Sequence, residues 1–328
     1  MNLFNQDRVK NIIPFDGEVD YHGLVFSKEE SEQYFKNLFV FDIETVPDIE
    51  AGRRLLGLEN ADNGEVRKAL SDYHLQITDG KNDFLRQPFH KVVAISFLEA
   101  ELAIDENGQE KYNFKQLRSG GDLASSEAEL IKGFFYHLKK NPSRLVSFNG
   151  KNFDLPVLKY GAMKHKIEAS WLHKMGDKWN NYQQKYSLDW HCDLADAFSD
   201  FGSSARVKMN ELCAVFKLAG KIDTDGSKVE EMYDGGKLQE IRDYCETDVL
   251  NSYLFYLIFQ HHTGSISDEV FEKSKNQIYD FLNNNLNKLH FKKFLDKLEG
   301  VEVEETVANE DMNKTKISNP NIQGVKNE

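Results

Sequence analysis

The sequence predicts an α/β protein, a mixed central sheet with helices packed on it. Three observations carry that expectation. Short aromatic and β-branched runs, LFVFDIE at Leu38–Glu44 and HKVVAISFLE at His90–Glu99, read as buried strands. The DENG segment, Asp105–Gly108, reads as a hairpin turn into a third strand near Lys111–Phe114. Beyond it, helical periodicity alternates with short strand-like runs, the pattern of helices crossing over a sheet.

The elements follow in order. SKEESEQYFKNL has Ser27 as N-cap and Glu30 three residues on, a capping box that opens a helix leading into the first strand. The first three strands are expected to be joined as hairpins, with helical stretches around Leu55–Leu58 and Val66–Leu75 between the first two. Ser125–Lys140 is an amphipathic helix capped by Ser125 or Ser126, and Asn141-Pro142-Ser143 breaks it. RLVSFNG at Arg144–Gly150 is a fourth strand, followed by a helix over Leu155–His165, and a fifth strand is expected near Leu188–Leu194. Lys237–His262 is a long helix entered after Gly235-Gly236, and residues 267–299 are helical but more polar. From Gly300 onward the chain is poor in aliphatics and has no aromatic, the composition of a disordered tail.

Composition narrows the class. The 328 residues are 40% hydrophobic and 29% charged, enough for a sizeable core. The longest apolar run, Tyr253–Phe259, is far shorter than the roughly 18 residues of a membrane helix, and MNLFNQDR lacks the features of a secretory signal. A cytoplasmic location is expected. Three scattered cysteines exclude a disulfide framework and a zinc ribbon. A net charge of −13 argues against coating DNA through phosphate contacts, though not against an enzyme that holds nucleic acid through metal ions. Residues 151–185 run the other way, with seven Lys against three acids and aromatics interleaved. Lys164, Lys166, Lys174 and Lys178, with Trp171 or Trp179, are candidates for a strand-feeding surface.

Three constellations carry chemistry. Asp42 and Glu44 end the first strand two residues apart, so both carboxylates share a face. Two buried like charges repel, and a divalent cation with hard oxygen ligands removes that cost. Asn149-Gly150 with Asp154 follows the fourth strand; taken alone, Asp154 is an ordinary helix-start acid. Tyr244 and Asp248 are i and i+4 on one face of the long helix, where a carboxylate in an apolar stripe needs a partner. His191-Cys192-Asp193 contains an HxD pair, as in Fe(II) dioxygenases, but strand alternation explains it better. Residues 8–37 faintly resemble the opening of AlkB-like dioxygenases, without the iron core. No GxGxxG, GxxxxGK[ST] or GxSxG occurs.

The four acids, in the order strand, helix start, late helix, resemble the DnaQ-like or DEDD 3′–5′ exonucleases, which have an RNase H-like fold. A Tyr four residues before the last Asp marks the DEDDy branch; the alternative His five residues before it is Asp243 here. VFDIETVPD, HKVVAIS, LVSFNGKNFDLPVL and YCETDVLNSYLFY are similar to the motifs of a stand-alone predicted exonuclease group related to the family B polymerase proofreading domain. The resemblance spans Leu38 to Phe259.

That resemblance implies an RNase H-like domain over 38–262, between an N-terminal extension (1–37) and a C-terminal helical extension (263–299) with its tail (300–328). It implies Asp42, Glu44, Asp154 and Asp248 as ligands of two divalent cations, Mg²⁺ or Mn²⁺, and Tyr244 as the residue that positions the attacking water. Thr45, Asn149 and Gly150 become substrate contacts. The expected substrate is the 3′ end of single-stranded DNA or RNA, with DNA favoured, and a polymerase or repair partner would act in trans. The competing readings are a non-catalytic nucleic-acid-binding module on the same fold and an iron-dependent dioxygenase.

Overall fold

The computed structural model describes residues 36–105, 109–222 and 226–300. Five strands form one sheet: β1 (Asn37–Pro47), β2 (His90–Ile104), β3 (Glu110–Ser119), β4 (Arg144–Ser147) and β5 (His191–Asp193). Their order is β3-β2-β1-β4-β5. β2 runs antiparallel to both neighbours, whereas β1, β4 and β5 are parallel. This is the RNase H-like arrangement that the resemblance implies.

Strand β1 explains the layering. Leu38 and Val40 face one way and Phe39, Phe41 and Ile43 the other, and all five are buried. Leu38 and Val40 pack with Val249, Leu250 and Tyr253 of the long helix, whereas the phenylalanines pack with Ile131, Phe134 and Leu158 on the opposite side. By strand alternation Asp42 and Glu44 lie on the face of Leu38 and Val40, beneath the long helix.

Eleven helices are described: α1 (Ile49–Leu56), α2 (Asn63–Ile77), α3 (Glu127–Lys140), α4 (Asp154–Lys164), α5 (Ser170–Lys174), α6 (Leu194–Phe198), α7 (Met209–Phe216), α8 (Val229–Asp234), α9 (Leu238–His262), α10 (Asp268–Asn283) and α11 (Leu289–Leu298). Capping boxes at Asp62/Glu65 and Ser126/Glu129 start α2 and α3, satisfying amides that have no intrahelical acceptor. Most of α9 is buried, because the sheet covers one side and α10 and α11 add Ile278, Leu282, Phe291 and Phe294 to the same core. An ion cluster reinforces that packing. Buried Glu246 of α9 accepts from Ser119 Oγ at 2.9 Å and lies 3.1 Å from His290 Nε2. Burial alone would raise the Glu246 pKa; His290, Lys288 and Ser119 outweigh it and hold the carboxyl low.

Two expectations change. β1 and β2 are antiparallel neighbours but are not joined by a hairpin: Asp48 and Asp62 cap helices α1 and α2, which fill the connection. β3 is longer than Lys111–Phe114, because pairing with β2 continues to Ser119. The expected Ser27–Leu38 helix lies outside the described residues apart from its last three positions, of which Asn37 and Leu38 belong to β1, and the 301–328 tail and residues 106–108 of the turn also lie outside them. No described helix is long and apolar enough to cross a membrane.

Candidate active site

The four acids predicted from sequence converge. Asp42 and Glu44 come from the end of β1, Asp154 is the first residue of α4, and Asp248 lies mid-way along α9. Glu44, Asp154 and Asp248 are buried, whereas Asp42 is partly open to solvent. The amide of Ile43 donates to Asp154 Oδ1 at 3.1 Å, which ties the strand to the start of α4.

The turn before Asp154 is tight. Asn149 has a left-handed φ of 65°. A Cβ on Gly150 would stand 2.3 Å from Ser147 Oγ, so the turn has no room for a side chain there. Asp193 organises this turn by accepting from the amides of Asn149 (2.9 Å) and Lys151 (2.8 Å). The HxD pair is thereby accounted for structurally, since His191 Nε2 meets Ser147 Oγ at 2.7 Å. Among the described residues, neither His191 nor Asp193 belongs to a group able to hold a metal.

Electrostatics sets this cluster apart. Burial first, then the charges of Asp154, Glu44 and Asp248, push the Asp42 pKa well up. Burial, then Asp248 and Asp154, raise Glu44, with the ammonium of Lys221 acting in the opposite direction. Burial lifts Asp154 to about 7, against the hydrogen bonds from its own amide and that of Ile43. Burial likewise lifts Asp248 to about 6, against Tyr244 and Lys221. The Tyr244 hydroxyl faces the Asp248 carboxylate, and burial together with the surrounding carboxylates pushes its own pKa far upward. Oδ1 of Asp248 is buried and has no hydrogen-bond partner. Carboxylates that repel one another, with an orphaned buried oxygen among them, form a hard donor set that fits divalent cations.

The predicted substrate contacts line the same region. Thr45 Oγ1 is 2.9 Å from His90 Nδ1. His90 Nε2 lies 3.0 Å from the Leu85 carbonyl, which can only accept, so Nδ1 is left as the acceptor for the Thr45 hydroxyl. Burial lowers the His90 pKa, consistent with that neutral ring. Asn149 Oδ1 accepts from Arg206 at 2.7 Å. Sequence reasoning missed Arg206 and Lys221 and gave neither Asp193 nor Cys245 a part in this site. It also missed an aromatic cluster in which Phe84, 58% exposed, has its ring centroid 5.6 Å from that of Phe153 and 5.2 Å from that of His90. The one available signal was Phe153 beside Asp154.

The basic stretch does not form one surface. Lys164 pairs with Asp48 at 2.6 Å and Glu127 at 2.7 Å, two buried acids. Trp171 is a core residue, packed edge-on against Tyr182. Only Lys166, Lys174, Lys178 and Trp179 of the candidate set remain exposed without such ties, with Lys178 4.8 Å over the Trp179 ring.

Known proteins place this geometry in context. The family described as a predicted 3′-5′ exonuclease related to the exonuclease domain of PolB matches residues 82–298, a span that includes Asp154, Tyr244 and Asp248. Asp42 and Glu44 precede it, and the fold brings them to the same cluster. Among solved structures, the family B DNA polymerase from the hyperthermophilic archaeon Pyrobaculum calidifontis is similar at 14% identity and a TM-score of 0.39, over 72% of this chain. The chain spans 27% of that polymerase's length. A search of curated proteins gives no match. The chain belongs to the family of predicted 3′-5′ exonucleases related to the exonuclease domain of PolB.

Proposed function

We propose that this protein is a metal-dependent 3′–5′ exonuclease that hydrolyses the terminal phosphodiester of single-stranded nucleic acid, DNA in the first instance. The observation that carries the reading is the convergence of Asp42, Glu44, Asp154 and Asp248 from three elements around a buried, unpartnered Asp248 oxygen. A structural role would pair such acids with cations of the protein. Here Lys221 is the one cation acting on Glu44 and Asp248 among the causes of their shifts.

The four carboxylates would hold two divalent cations, Mg²⁺ or Mn²⁺. Such ions, when bound, acidify water and neutralise charge on the phosphodiester and the departing 3′-oxygen. Tyr244 stays protonated at neutral pH, so its hydroxyl orients water and does not remove its proton. Asp248, one helical turn on and electrostatically coupled to Tyr244, faces the same space. Thr45, Asn149 and the Gly150 turn would contact the terminal nucleotide, and the Phe84–Phe153 pair offers a ring face to a base. The catalytic unit would be residues 38–262, with 263–299 as a helical extension packed on α9.

The test is incubation with 3′- and 5′-labelled single-stranded DNA and RNA, with and without Mg²⁺ or Mn²⁺. Stepwise release from the 3′ end, dependent on the cation, is expected. Cation-dependent binding without hydrolysis would instead favour the non-catalytic module.

A further inference from the structure

Cys245 is fully buried on α9, one residue from Tyr244, and its thiol turns toward the acids. Sγ lies 3.4 Å from the Asp42 carbonyl and 3.6 Å from Asp42 Oδ2. One ligand atom each from Asp42, Glu44 and Cys245 fall within 4.8 Å of one another, close enough to share a single ion. Three residues on from Cys245 along α9, Asp248 has a buried Oδ1 with no hydrogen-bond partner, and its charge acts on Asp42, Glu44 and Cys245 alike. Of the other two cysteines, Cys192 packs beside Val146 and Cys213 beside Leu212 and Gly220, and among the described residues neither joins a group able to hold a metal.

We propose that the carboxylate cluster is a mixed oxygen–sulfur site in which Cys245 becomes a ligand to thiophilic divalent cations, Zn²⁺ or Cd²⁺, and remains a protonated bystander to Mg²⁺ and Mn²⁺. The inference rests on the reading of Asp42 and Glu44 as cation ligands. Hard ions gain nothing from a thiol and leave it donating to Asp42, whereas soft ions select thiolate over carboxylate. When such an ion binds, the sulfur–metal bond forms as the thiol proton passes to solvent, and no electrons are transferred. Zn²⁺ or Cd²⁺ held by Asp42, Glu44 and Cys245 would exclude Mg²⁺ from the same carboxylates, so the site is built to be poisoned by soft ions.

The test uses the full-length, metal-free protein titrated with Cd²⁺ and, separately, with Mn²⁺. Wild type is expected to develop a sulfur-to-cadmium charge-transfer band in the ultraviolet that saturates with cluster occupancy. Cys245→Ser should lose that band and bind Cd²⁺ at least about tenfold more weakly in competition with a chromophoric chelator, with Mn²⁺ affinity unchanged. A Cys192→Ser/Cys213→Ser variant should keep the band. Absence of the band in wild type overturns the proposal whether or not any variant folds, as does its persistence in Cys245→Ser. Mn²⁺ binding without a cadmium–sulfur band would sink this inference and leave the carboxylate site standing; loss of both ions would remove the two together.

Discussion

The backbone amide of Ile43 donates to Asp154 Oδ1 at 3.1 Å, across 111 positions of sequence. Ile43 sits between Asp42 and Glu44, so this bond fixes the third acid against the strand that presents the first two. One Asp154 oxygen is thereby committed and the carboxylate cannot rotate freely. The bond stabilises the charged form that a cation requires, although burial still lifts the pKa to about 7. The site is thus strained electrostatically and ordered geometrically.

Removing one of these acids should separate stability from activity. In the metal-free protein, Asp248→Asn removes a buried carboxylate whose neighbours repel it, so its thermal midpoint should equal or exceed that of wild type. Its hydrolysis should fall by about 10²–10³-fold, the range for one preorganised charge-stabilising group. Asp42→Ala should likewise abolish turnover with the fold intact. A folded Asp42→Ala protein that cleaves at the wild-type rate would end the active-site reading.

Tyr244→Phe keeps the ring and removes only the hydroxyl that faces Asp248. If that hydroxyl orients water, the single-turnover rate should drop by about 10²-fold, the lower range for positioned acid–base groups. Binding of single-stranded DNA in Ca²⁺ should not move. An unaltered rate would make Tyr244 a core residue and nothing more.

Much of this site was legible because its geometry is local. Residues two apart on a strand share a face, as Asp42 and Glu44 do, and residues four apart on a helix share one, as Tyr244 and Asp248 do. What escaped depends on contacts distant in sequence. Lys164 looked like a free surface cation, yet its partners are Asp48, 116 positions away, and Glu127, 37 away. Trp171 and Trp179 are indistinguishable by composition, but one lies in the core and the other is 67% exposed. The hairpin expected between β1 and β2 fails although the helical stretches between them were legible, because antiparallel neighbours can also be joined through helices, here α1 and α2 capped by Asp48 and Asp62. Asp193 was seen only as half of a strand pair, because its task, holding the Asn149–Lys151 turn, lies 42–44 residues away.

The raised acids give the metal-free protein a definite pH response. Asp154 and Asp248 hold protons to about 7 and about 6 in the folded state, against an ordinary 3.8 when unfolded. Between those limits the unfolded chain releases protons that these two folded-state carboxyls keep, so they make stability fall as pH rises toward 7, and the raised Asp42 and Glu44 act in the same direction. A bound cation removes the repulsion and competes with those protons. Scanning calorimetry with chelator and with Mn²⁺, from about pH 5 to pH 7.5, should show a cation-induced rise in midpoint that grows with pH. A rise that is the same at every pH would contradict the assignment.

The last prediction separates two candidate paths for the substrate strand. Lys164 bridges two buried acids, so Lys164→Ala leaves Asp48 and Glu127 short of a countercharge. It should cost about 1–3 kcal/mol of stability, below the value for a fully buried pair because Lys164 is 37% exposed. The salt dependence of single-strand binding should be unchanged, since Lys164 is already engaged. Phe84 behaves oppositely. Its ring is mostly exposed and rests against Phe153, the neighbour of Asp154, so Phe84→Ala should barely alter the thermal midpoint. A base stacked on an aromatic face contributes about 1–3 kcal/mol, so affinity for single-stranded DNA in Ca²⁺ should weaken roughly 5- to 100-fold. Cleavage of a small phosphodiester of thymidine, which has no second base to stack, should be less affected. Wild-type affinity in Phe84→Ala, with a weakened salt slope in Lys164→Ala, would return the strand path to the basic stretch.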